Sequence, residues 1–318
     1  MKITIVNNGI KIPAHNYGGT ERVIWGLAHE LSKLGHEITF IVPKGSKCNF
    51  AKIIEYNKEI PLNNQIPKNT DLVHINFNLD EEIDFKHILT MHGNPSKDEK
   101  LPLNTVFVSK NHAERNNSSV YVQNGLLWEN YPKINHNLQK NYFHYLAKGS
   151  WKVKNLSGAA KIAVKSNEKL IVMGAEKWKL YNFKRKPFYS LNPNIEYLGM
   201  VDNNTKFKIM QESKGLIFPV LWDEPFGLAM IESLYAGCPV FGTMYGSLPE
   251  LINENVGFLS NDENEIVNAI RNKKFSSKVC HEYAKNNFNS KVMTENYLKL
   301  YYKVIEGESL NKNFSNAN

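Results

Sequence analysis

Cysteine and long apolar runs are scarce in this sequence. The 318 residues include three cysteines, Cys48, Cys238 and Cys280, which are far apart and form no CxxC pair. Neither a disulfide framework nor a thiolate zinc site is therefore expected, and a reduced compartment fits best. No window approaches the roughly 18 apolar residues that a membrane-spanning helix needs. The opening residues, MKITIVNNG, are typical of a strand and not of a signal peptide. These features favour a cytoplasmic location.

Acidic residues are outnumbered. There are 39 lysines and arginines against 31 aspartates and glutamates, so the formal charge is +8. A positive balance favours acidic partners: phosphates, an anionic membrane surface or nucleic acid. Lys184, Arg185 and Lys186 form one candidate patch for the inner face of a membrane, and a solvated surface is the alternative. Only the charge supports nucleic-acid binding, because no recognised nucleic-acid module or aromatic-interleaved basic run is present. A non-enzymatic nucleic-acid-binding protein is therefore kept as an alternative.

Short β-branched segments alternate with helical patterns along the whole chain. Hydrophobic residues make up 42% of the sequence, and the length favours two domains. Strands that alternate with helices are typical of a doubly wound parallel sheet. The predicted strands of the first half are KITIVN, EITFIV, DLVHINF, HILTMHG, TVFVSK and VYVQNG, and those of the second half are YFHYLA, KLIVMG, IEYLGMV, GLIFPV and CPVFGT.

The predicted fold class is therefore α/β, with two Rossmann-like doubly wound domains facing across a cleft. A polar stretch, residues 130–140, is predicted to be the linker. The N-terminal domain would span residues 1–137 and the C-terminal domain residues 138–289. An amphipathic helix at about residues 290–306 would cross back to brace the first domain.

The stretch LWDEPFGLAMIESLYAGCPV carries two acids around a helix entrance. GLIFPV precedes it as a strand, and the helix is expected to follow Gly227. Asp223 and Glu224 lie in the loop between this strand and the helix, where parallel sheets hold ligands. The alternative is that these acids only interact favourably with the dipole at the helix N-terminus. Glu232 lies among apolar residues, where a charge needs a hydrogen-bonded partner. The two hydroxyls of a ribose could supply bonds to such a carboxylate.

Two features of the first half could contact a ligand. Gly18 and Gly19 lie between the first strand and the first helix, where backbone amides could approach a phosphate or sugar. They form neither GxGxxG nor a Walker motif, so a tight turn is the alternative. His92 ends the strand HILTMHG beside Gly93 and could hydrogen-bond a ligand hydroxyl, or it could be a satisfied core or loop histidine.

Three lysines follow the first strand of the second half. Lys148, Lys152 and Lys154 lie in AKGSWKVKN, and ammonium groups at a strand end could clamp a diphosphate. A solvated surface cluster is the alternative.

These motifs together resemble a known enzyme family. YGGTERVIWGLAHELSKLGHEITF, MHG, VQNG, KVKN and EPFGLAMIESLYAGCPVFGTMYGSLPELI are similar, in order, to the retaining nucleotide-sugar glycosyltransferases of family 4, which have the GT-B fold. The most specific element is E-x7-E, from Glu224 to Glu232. Two departures stand out. The usual Gly-Arg before the phosphate lysine is absent, with Lys148 the nearest substitute, and the N-terminal domain, which supplies the acceptor site, is short.

The resemblance implies roles for individual residues. Glu224 and His92 would contact the donor sugar and are the predicted catalytic residues. Glu232 would hold the ribose hydroxyls and Lys154 the diphosphate. The predicted donor site also includes Gly18 and Gly19 from the opposite domain, Lys148, Gly199 and Met200 near the base, and Phe226 and Gly227.

The function implied is transfer of a sugar from a nucleoside-diphosphate sugar to a glycan or lipid-linked acceptor, with retention. No cofactor or metal is expected, because neither a metal-ligand cluster nor a DxD motif at a strand end is present. A retaining glycosidase is the less favoured alternative. Its two carboxyl groups would lie about 5–5.5 Å apart, whereas Glu224 and Glu232 would be about 12 Å apart if the segment were helical throughout.

Overall fold

The computed structural model describes residues 1–14, 18–96, 98–176, 192–312 and 314. The chain divides into two compact units: unit 1 comprises Met1–Asn130 and Phe288–Asn318, and unit 2 comprises Tyr131–Asn287. Each unit contains a six-stranded parallel sheet. The predicted α/β class with two Rossmann-like domains is confirmed. The candidate patch at residues 184–186 lies outside the described residues.

Unit 1 has the strand order β3-β2-β1-β4-β5-β6. Its strands are β1 Lys2–Val6, β2 Glu37–Val42, β3 Lys52–Glu55, β4 Leu72–Ile75, β5 His87–Met91 and β6 Thr105–Phe107, and its first helices are α1 Gly19–Lys33, α2 Leu62–Gln65 and α3 Lys110–Glu114. The central strands are buried almost throughout, as expected for a parallel sheet covered on both faces.

Unit 2 has the strand order β12-β11-β10-β7-β8-β9. Its strands are β7 Tyr142–Leu146, β8 Leu170–Met173, β9 Ile195–Gly199, β10 Ser213–Phe218, β11 Val240–Gly242 and β12 Gly257–Leu259. Its helices are α4 Leu156–Lys165, α5 Asn203–Gln211, α6 Leu228–Tyr235, α7 Leu248–Leu251, α8 Glu263–Asn272 and α9 Ser277–Asn287. Buried apolar side chains of β7, β8, β10 and β11 pack against α4 and α8 and form its core.

The last helix, α10 (Ser290–Ile305), belongs to unit 1 and packs against α1. Its buried tyrosines meet the sheet through hydrogen bonds. The Tyr301 hydroxyl lies 2.6 Å from His74 Nδ1, and the Tyr297 hydroxyl lies 2.9 Å from Thr90 Oγ1. His74 Nε2 is in turn 2.7 Å from Thr90 Oγ1. These bonds fix the returning helix to β4 and β5.

The boundary between the units differs from the predicted one. Unit 2 begins at Tyr131, before the predicted start at residue 138, because the Tyr131 ring packs against Phe207 and Tyr235 with centroids 5.1 and 5.9 Å away. At the other end, the Leu126 amide donates to the Phe288 carbonyl and joins Phe288 to unit 1. The polar segment that follows Asn130 is therefore part of unit 2 and not a free linker.

Some local predictions were wrong. VYVQNG is not a strand, and only Tyr121 forms a bridge, with Phe107. The strands β3 and β12 were missed because they are short and lie at sheet edges. The first helix begins at Gly19, so this glycine lies within the helix and not before it, and the N-cap is Gly18 with φ +129°.

No helix in the described ranges is both long and apolar enough to cross a membrane.

Candidate functional site

The loops at the carboxyl edge of the unit 2 sheet bring several candidate side chains together. Parallel α/β sheets hold ligands at this edge. Lys148 and Lys154 follow β7, Met200 follows β9, and Glu224 follows β10. The backbone amide of Leu221 donates to the Val153 carbonyl at 2.8 Å, which joins the β7 loop to the β10 loop.

Lys154 and Glu224 form an ion pair in this position. Lys154 Nζ lies 2.5 Å from Glu224 Oε2, with side-chain exposures of 12% and 8%. Lys154 ends a single 3-10 turn, and the next residue, Asn155, takes a left-handed conformation and caps α4. The Asn155 side chain also donates from Nδ2 to the Pro219 carbonyl at 2.8 Å. The sequence KVKN thus folds so that the lysine side chain meets the loop that carries Glu224.

Trp222 contacts both members of this pair. Its Nε1–H donates to Glu224 Oε2 at 2.7 Å, and its ring centroid lies 4.8 Å from Lys154 Nζ. A cation near an aromatic face is attracted by the ring quadrupole. Trp222 therefore holds the carboxylate through a hydrogen bond and the ammonium through its ring.

The loop after β11 fixes the backbone of Glu224. Gly246 has φ +62°, and a Cβ there would overlap the backbone N and O of Glu224. The Ser247 amide donates to the Glu224 carbonyl at 2.9 Å, and the Gly246 amide donates to Asp223 Oδ1 at 3.2 Å. Asp223 therefore helps to hold the loop, while Glu224 faces the lysine.

Glu232 has a different cationic partner. It lies on α6, and its Oε1 is 2.6 Å from Nζ of Lys206 on α5. Each residue is about 5% exposed, and the Tyr131 hydroxyl donates to the same carboxylate oxygen at 3.4 Å. The prediction that Glu232 is buried and needs a hydrogen-bonded partner is confirmed.

The two acids are not joined by a continuous helix. Because α6 begins at Leu228, Glu224 lies in the preceding loop, and helical rise does not give the separation of Glu224 and Glu232. The assumption behind the estimate of 12 Å is therefore wrong. What distinguishes the two carboxylates is their cations, Lys154 for one and Lys206 for the other.

The remaining unit 2 candidates surround these pairs. Gly227 is the N-cap of α6 with φ +95°, and a Cβ there would lie 3.4 Å from Glu224 Cγ. Phe226 is buried, so a ligand could meet only its backbone, whose carbonyl accepts from Ser247 Oγ at 2.6 Å. Gly199 ends β9 with φ +68°, and Met200 beyond it is 55% exposed.

Lys148 differs from Lys154 in its exposure. It lies at the surface, with Nζ 5.6 Å from the centroid of the Trp151 ring. Trp151 is itself exposed, and its centroid lies 6.4 Å from that of Trp222. The structure therefore places Lys148 at the surface beside Trp151, whose ring neighbours Trp222, and not in a buried contact.

His92 lies in unit 1, at the end of β5. Its Nε2 is 3.0 Å from Asn76 Oδ1, to which Nε2–H donates. Desolvation lowers the pKa of His92 to about 4, so the imidazole is neutral at neutral pH. A neutral ring can exchange hydrogen bonds with a ligand hydroxyl without adding charge.

Gly18 and Gly19 also lie in unit 1, at the start of α1. A Cβ on Gly18 would lie 2.7 Å from Glu21 Oε2. Glu21 is buried in the first turn, and its Oε1 accepts from the Ile10 amide at 3.0 Å and from Asn7 Nδ2 at 3.2 Å. The glycine turn is thus packed against a buried carboxylate that also organises the loop after β1.

Three residues of these arrangements were missed from the sequence: Lys206, Trp222 and Glu21. Lys206 directly precedes Phe207 and lies four positions before Met210, on the buried face of α5. Its position in the helical pattern was therefore a signal. Nothing in the sequence paired it with Glu232, which is 26 positions away. Trp222 and Glu21 are neighbours of recognised motifs, but their hydrogen bonds depend on the folded loops.

No cluster of three or more His, Cys, Asp or Glu side chains suited to a metal ion occurs within the described part of the chain.

One known protein family matches the part of the chain that forms unit 2. The family described as "Glycosyl transferases group 1" matches residues 128–289, just over half of the chain. A protein of the cps region of Klebsiella pneumoniae is 32% identical over 116 residues, which are 34% of this chain and 32% of that protein. Sucrose synthase of Thermosynechococcus vestitus is 33% identical over 92 residues, 27% of this chain and 11% of that enzyme. The matches thus span about a third or less of these curated relatives.

Solved structures match the chain over almost its whole length. AviGT4, a glycosyltransferase involved in avilamycin A biosynthesis, has a TM-score of 0.81 at 16% identity, with 96% of this chain and 98% of that chain covered. HepE of Anabaena, solved with UDP-glucose, has a TM-score of 0.66 at 14% identity, with 95% and 100% covered. WaaG, a glycosyltransferase involved in lipopolysaccharide biosynthesis, has a TM-score of 0.64 at 12% identity, with 96% and 100% covered. These neighbours have the GT-B fold that the sequence predicted.

Proposed function

The chain belongs to the group 1 glycosyl transferases, and on that premise we propose that it is a retaining enzyme of family 4 that transfers a sugar from a nucleoside-diphosphate sugar. The observation that carries this proposal is the buried Lys154–Glu224 pair at the carboxyl edge of the unit 2 sheet. It combines a cation suited to a diphosphate with a carboxylate suited to sugar hydroxyls. HepE binds UDP-glucose with the same fold, which supports a nucleotide-sugar donor.

The donor would be held by charged and backbone groups of unit 2. Lys154 would bind the diphosphate, with exposed Lys148 adding charge at the entrance. Glu232 would accept hydrogen bonds from the ribose hydroxyls, while Lys206 holds this carboxylate in place. The backbone around Gly199 and Met200 would contact the base, and Phe226 and Gly227 would present backbone groups beside Glu224.

Chemistry would consist of leaving-group stabilisation and positioning. The bond from the anomeric carbon to the diphosphate oxygen breaks, and Lys154 neutralises the charge that develops on that oxygen. The acceptor hydroxyl attacks from the same face and passes its proton to the departing phosphate oxygen, so retention needs no enzyme nucleophile. Glu224 would hold the transferred sugar, with His92, Gly18 and Gly19 assigned to the sugar and the floor of the site. No metal or cofactor has a role in this scheme.

The acceptor is proposed to be a glycan or a lipid-linked glycan. Support comes from relatives in a cps region and from a fold neighbour that acts in lipopolysaccharide biosynthesis. The charge of +8 favours attachment to an anionic inner membrane face. Flotation with acidic and neutral vesicles tests this attachment: we expect binding to acidic vesicles alone, and equal binding to both would count against it.

A ligand panel tests the donor proposal. Thermal unfolding with UDP, ADP, GDP and dTDP, and with UDP-glucose first among the sugar nucleotides, should reveal a stabilising ligand, because a ligand at 100 times its Kd adds about 2.7 kcal/mol. Lys154→Ala should lower affinity for that diphosphate about 10- to 150-fold, the equivalent of one charge-assisted bond. Lys152→Ala is the matched control, because Lys152 is exposed in the same turn. Equal losses in the two variants would reject the assignment of Lys154.

A further inference from the structure

We propose that Glu224 competes with the donor's diphosphate for Lys154, and that this competition makes the site prefer the intact donor over the nucleoside diphosphate it releases. The inference rests on the proposed function, in which Lys154 binds the diphosphate. It adds a property of the protein's own side chains: the ammonium that must receive the diphosphate already has an anion 2.5 Å away.

The burial of the pair gives this competition its strength. Exposed ion pairs contribute little because water screens them, but Lys154 and Glu224 are both largely removed from water. A diphosphate that approaches Lys154 either displaces Glu224 or shares the ammonium with it. In both cases a second anion enters a poorly solvated site beside an existing carboxylate, which opposes binding.

The intact donor can offset this cost, whereas the bare diphosphate cannot. When Lys154 turns to the diphosphate, Glu224 retains the N–H of Trp222, its second described side-chain partner. The transferred sugar carries hydroxyl groups that can donate to the vacated carboxylate oxygen. A buried polar group left without its partner carries a large penalty, and this is how binding sites discriminate against ligands that lack one hydroxyl.

Trp222 is the positioning residue of this arrangement. Its N–H holds the carboxylate, and its ring lies beside the ammonium. Gly246 and Ser247 fix the backbone of Glu224 from behind. The carboxylate is therefore held in one position. It contacts Lys154 before the donor binds, and it contacts the donor sugar once the donor has bound. Once the sugar has been transferred, the carboxylate would return to Lys154 and weaken the hold on the product.

Calorimetry tests the inference with three ligands. They are inorganic pyrophosphate, the nucleoside diphosphate selected by the ligand panel, and the intact donor. Glu224→Gln should bind pyrophosphate and the nucleoside diphosphate at least about tenfold more tightly than the wild type, since a charged competitor has been removed. Affinity for the intact donor should not rise in parallel, so the preference for donor over product should fall by a similar factor. Transfer should become slower in this variant.

Two further variants complete the test. Trp222→Phe keeps an aromatic ring but loses the N–H that Glu224 retains when Lys154 turns away, so it should bind pyrophosphate more weakly than the wild type does. Glu196→Gln is the control for charge: Glu196 pairs with Lys169 near the amino edge of the same sheet, and this variant should leave both affinities unchanged. Thermal unfolding checks that each variant is folded.

The outcomes separate this inference from the proposed function. One outcome is that Glu224→Gln is folded and binds pyrophosphate and the nucleoside diphosphate no more tightly than the wild type, while Lys154→Ala has lost affinity for both. In that case Lys154 binds the diphosphate, but Glu224 does not compete for it. If Lys154→Ala binds them as well as the wild type, the proposed function itself fails. If Glu196→Gln tightens binding as much as Glu224→Gln, the effect is one of overall charge and the inference is wrong.

Discussion

Lys206 and Glu232 form a buried ion pair, with Nζ and Oε1 2.6 Å apart and about 5% exposure at each residue. The pair joins α5, which follows β9, to α6, which follows β10. A carboxylate that is proposed to bind ribose thus also contributes to the packing of unit 2. Stability and ligand affinity must therefore be measured separately at this position.

Removal of one partner should destabilise the protein strongly. Lys206→Met leaves an uncompensated buried carboxylate, so we expect a loss of about 3–5 kcal/mol in the free energy of unfolding. The double variant with Glu232→Gln should lose less than the sum of the two single losses, because no unpaired charge remains. Urea denaturation of the four proteins measures this coupling. Additive losses would contradict a direct interaction between the two side chains.

Ligand affinity gives a second prediction for Glu232. If this carboxylate holds the ribose, Glu232→Gln should weaken the nucleoside diphosphate and the intact donor by similar factors of about 10 to 150, the equivalent of one charge-assisted bond. Both ligands carry the ribose, so the ratio of their affinities should not change. Calorimetry on the folded variant measures both constants. A loss for the intact donor alone would assign Glu232 to the sugar instead.

The sequence predicted the features of the fold and of the site that depend on local pattern. Alternating strands and helices identified the fold, and the apolar surroundings of Glu232 showed that it needed a partner. The identity of that partner, Lys206, could not be read, because α5 and α6 meet only in the folded unit. The contact between Lys154 and Glu224 joins loops 70 residues apart in the same way. The end of unit 1 was misplaced because the ring of Tyr131 packs into unit 2 from within a polar stretch.

Acid should destabilise unit 1 through His74. Burial lowers the pKa of this ring to about 3 in the folded protein, against about 6.5 when unfolded. Because the folded state favours the neutral ring, its contribution is complete above pH 6.5 and is lost as the pH falls from 6.5 towards 3. The slope should be about 1.4 kcal/mol per pH unit for this group. Denaturation measured from pH 6.5 to pH 3 should show that the free energy of unfolding depends less steeply on pH in His74→Gln than in the wild type. An unchanged slope would contradict this role of His74.

Chelation should leave transfer intact. The scheme meets the diphosphate charge with Lys154, Lys148 and backbone amides, and it assigns no step to a metal. Rates measured with and without EDTA, and after addition of Mg²⁺, should therefore agree within error. If EDTA abolishes transfer and Mg²⁺ restores it, a metal ion neutralises the diphosphate charge and the scheme is wrong.

Retaining transfer from a nucleoside-diphosphate sugar can be measured through the configuration of the first sugar product. The enzyme is incubated with the donor found by the ligand panel, without an acceptor, and the reaction is followed by ¹H NMR. We expect slow hydrolysis of the donor, with water in the place of the acceptor. An α-linked donor should give the α-anomer first, before mutarotation, and Lys154→Ala should slow its release. Formation of the β-anomer first would contradict retention, and no cleavage by any amount of folded enzyme would contradict the assigned donor.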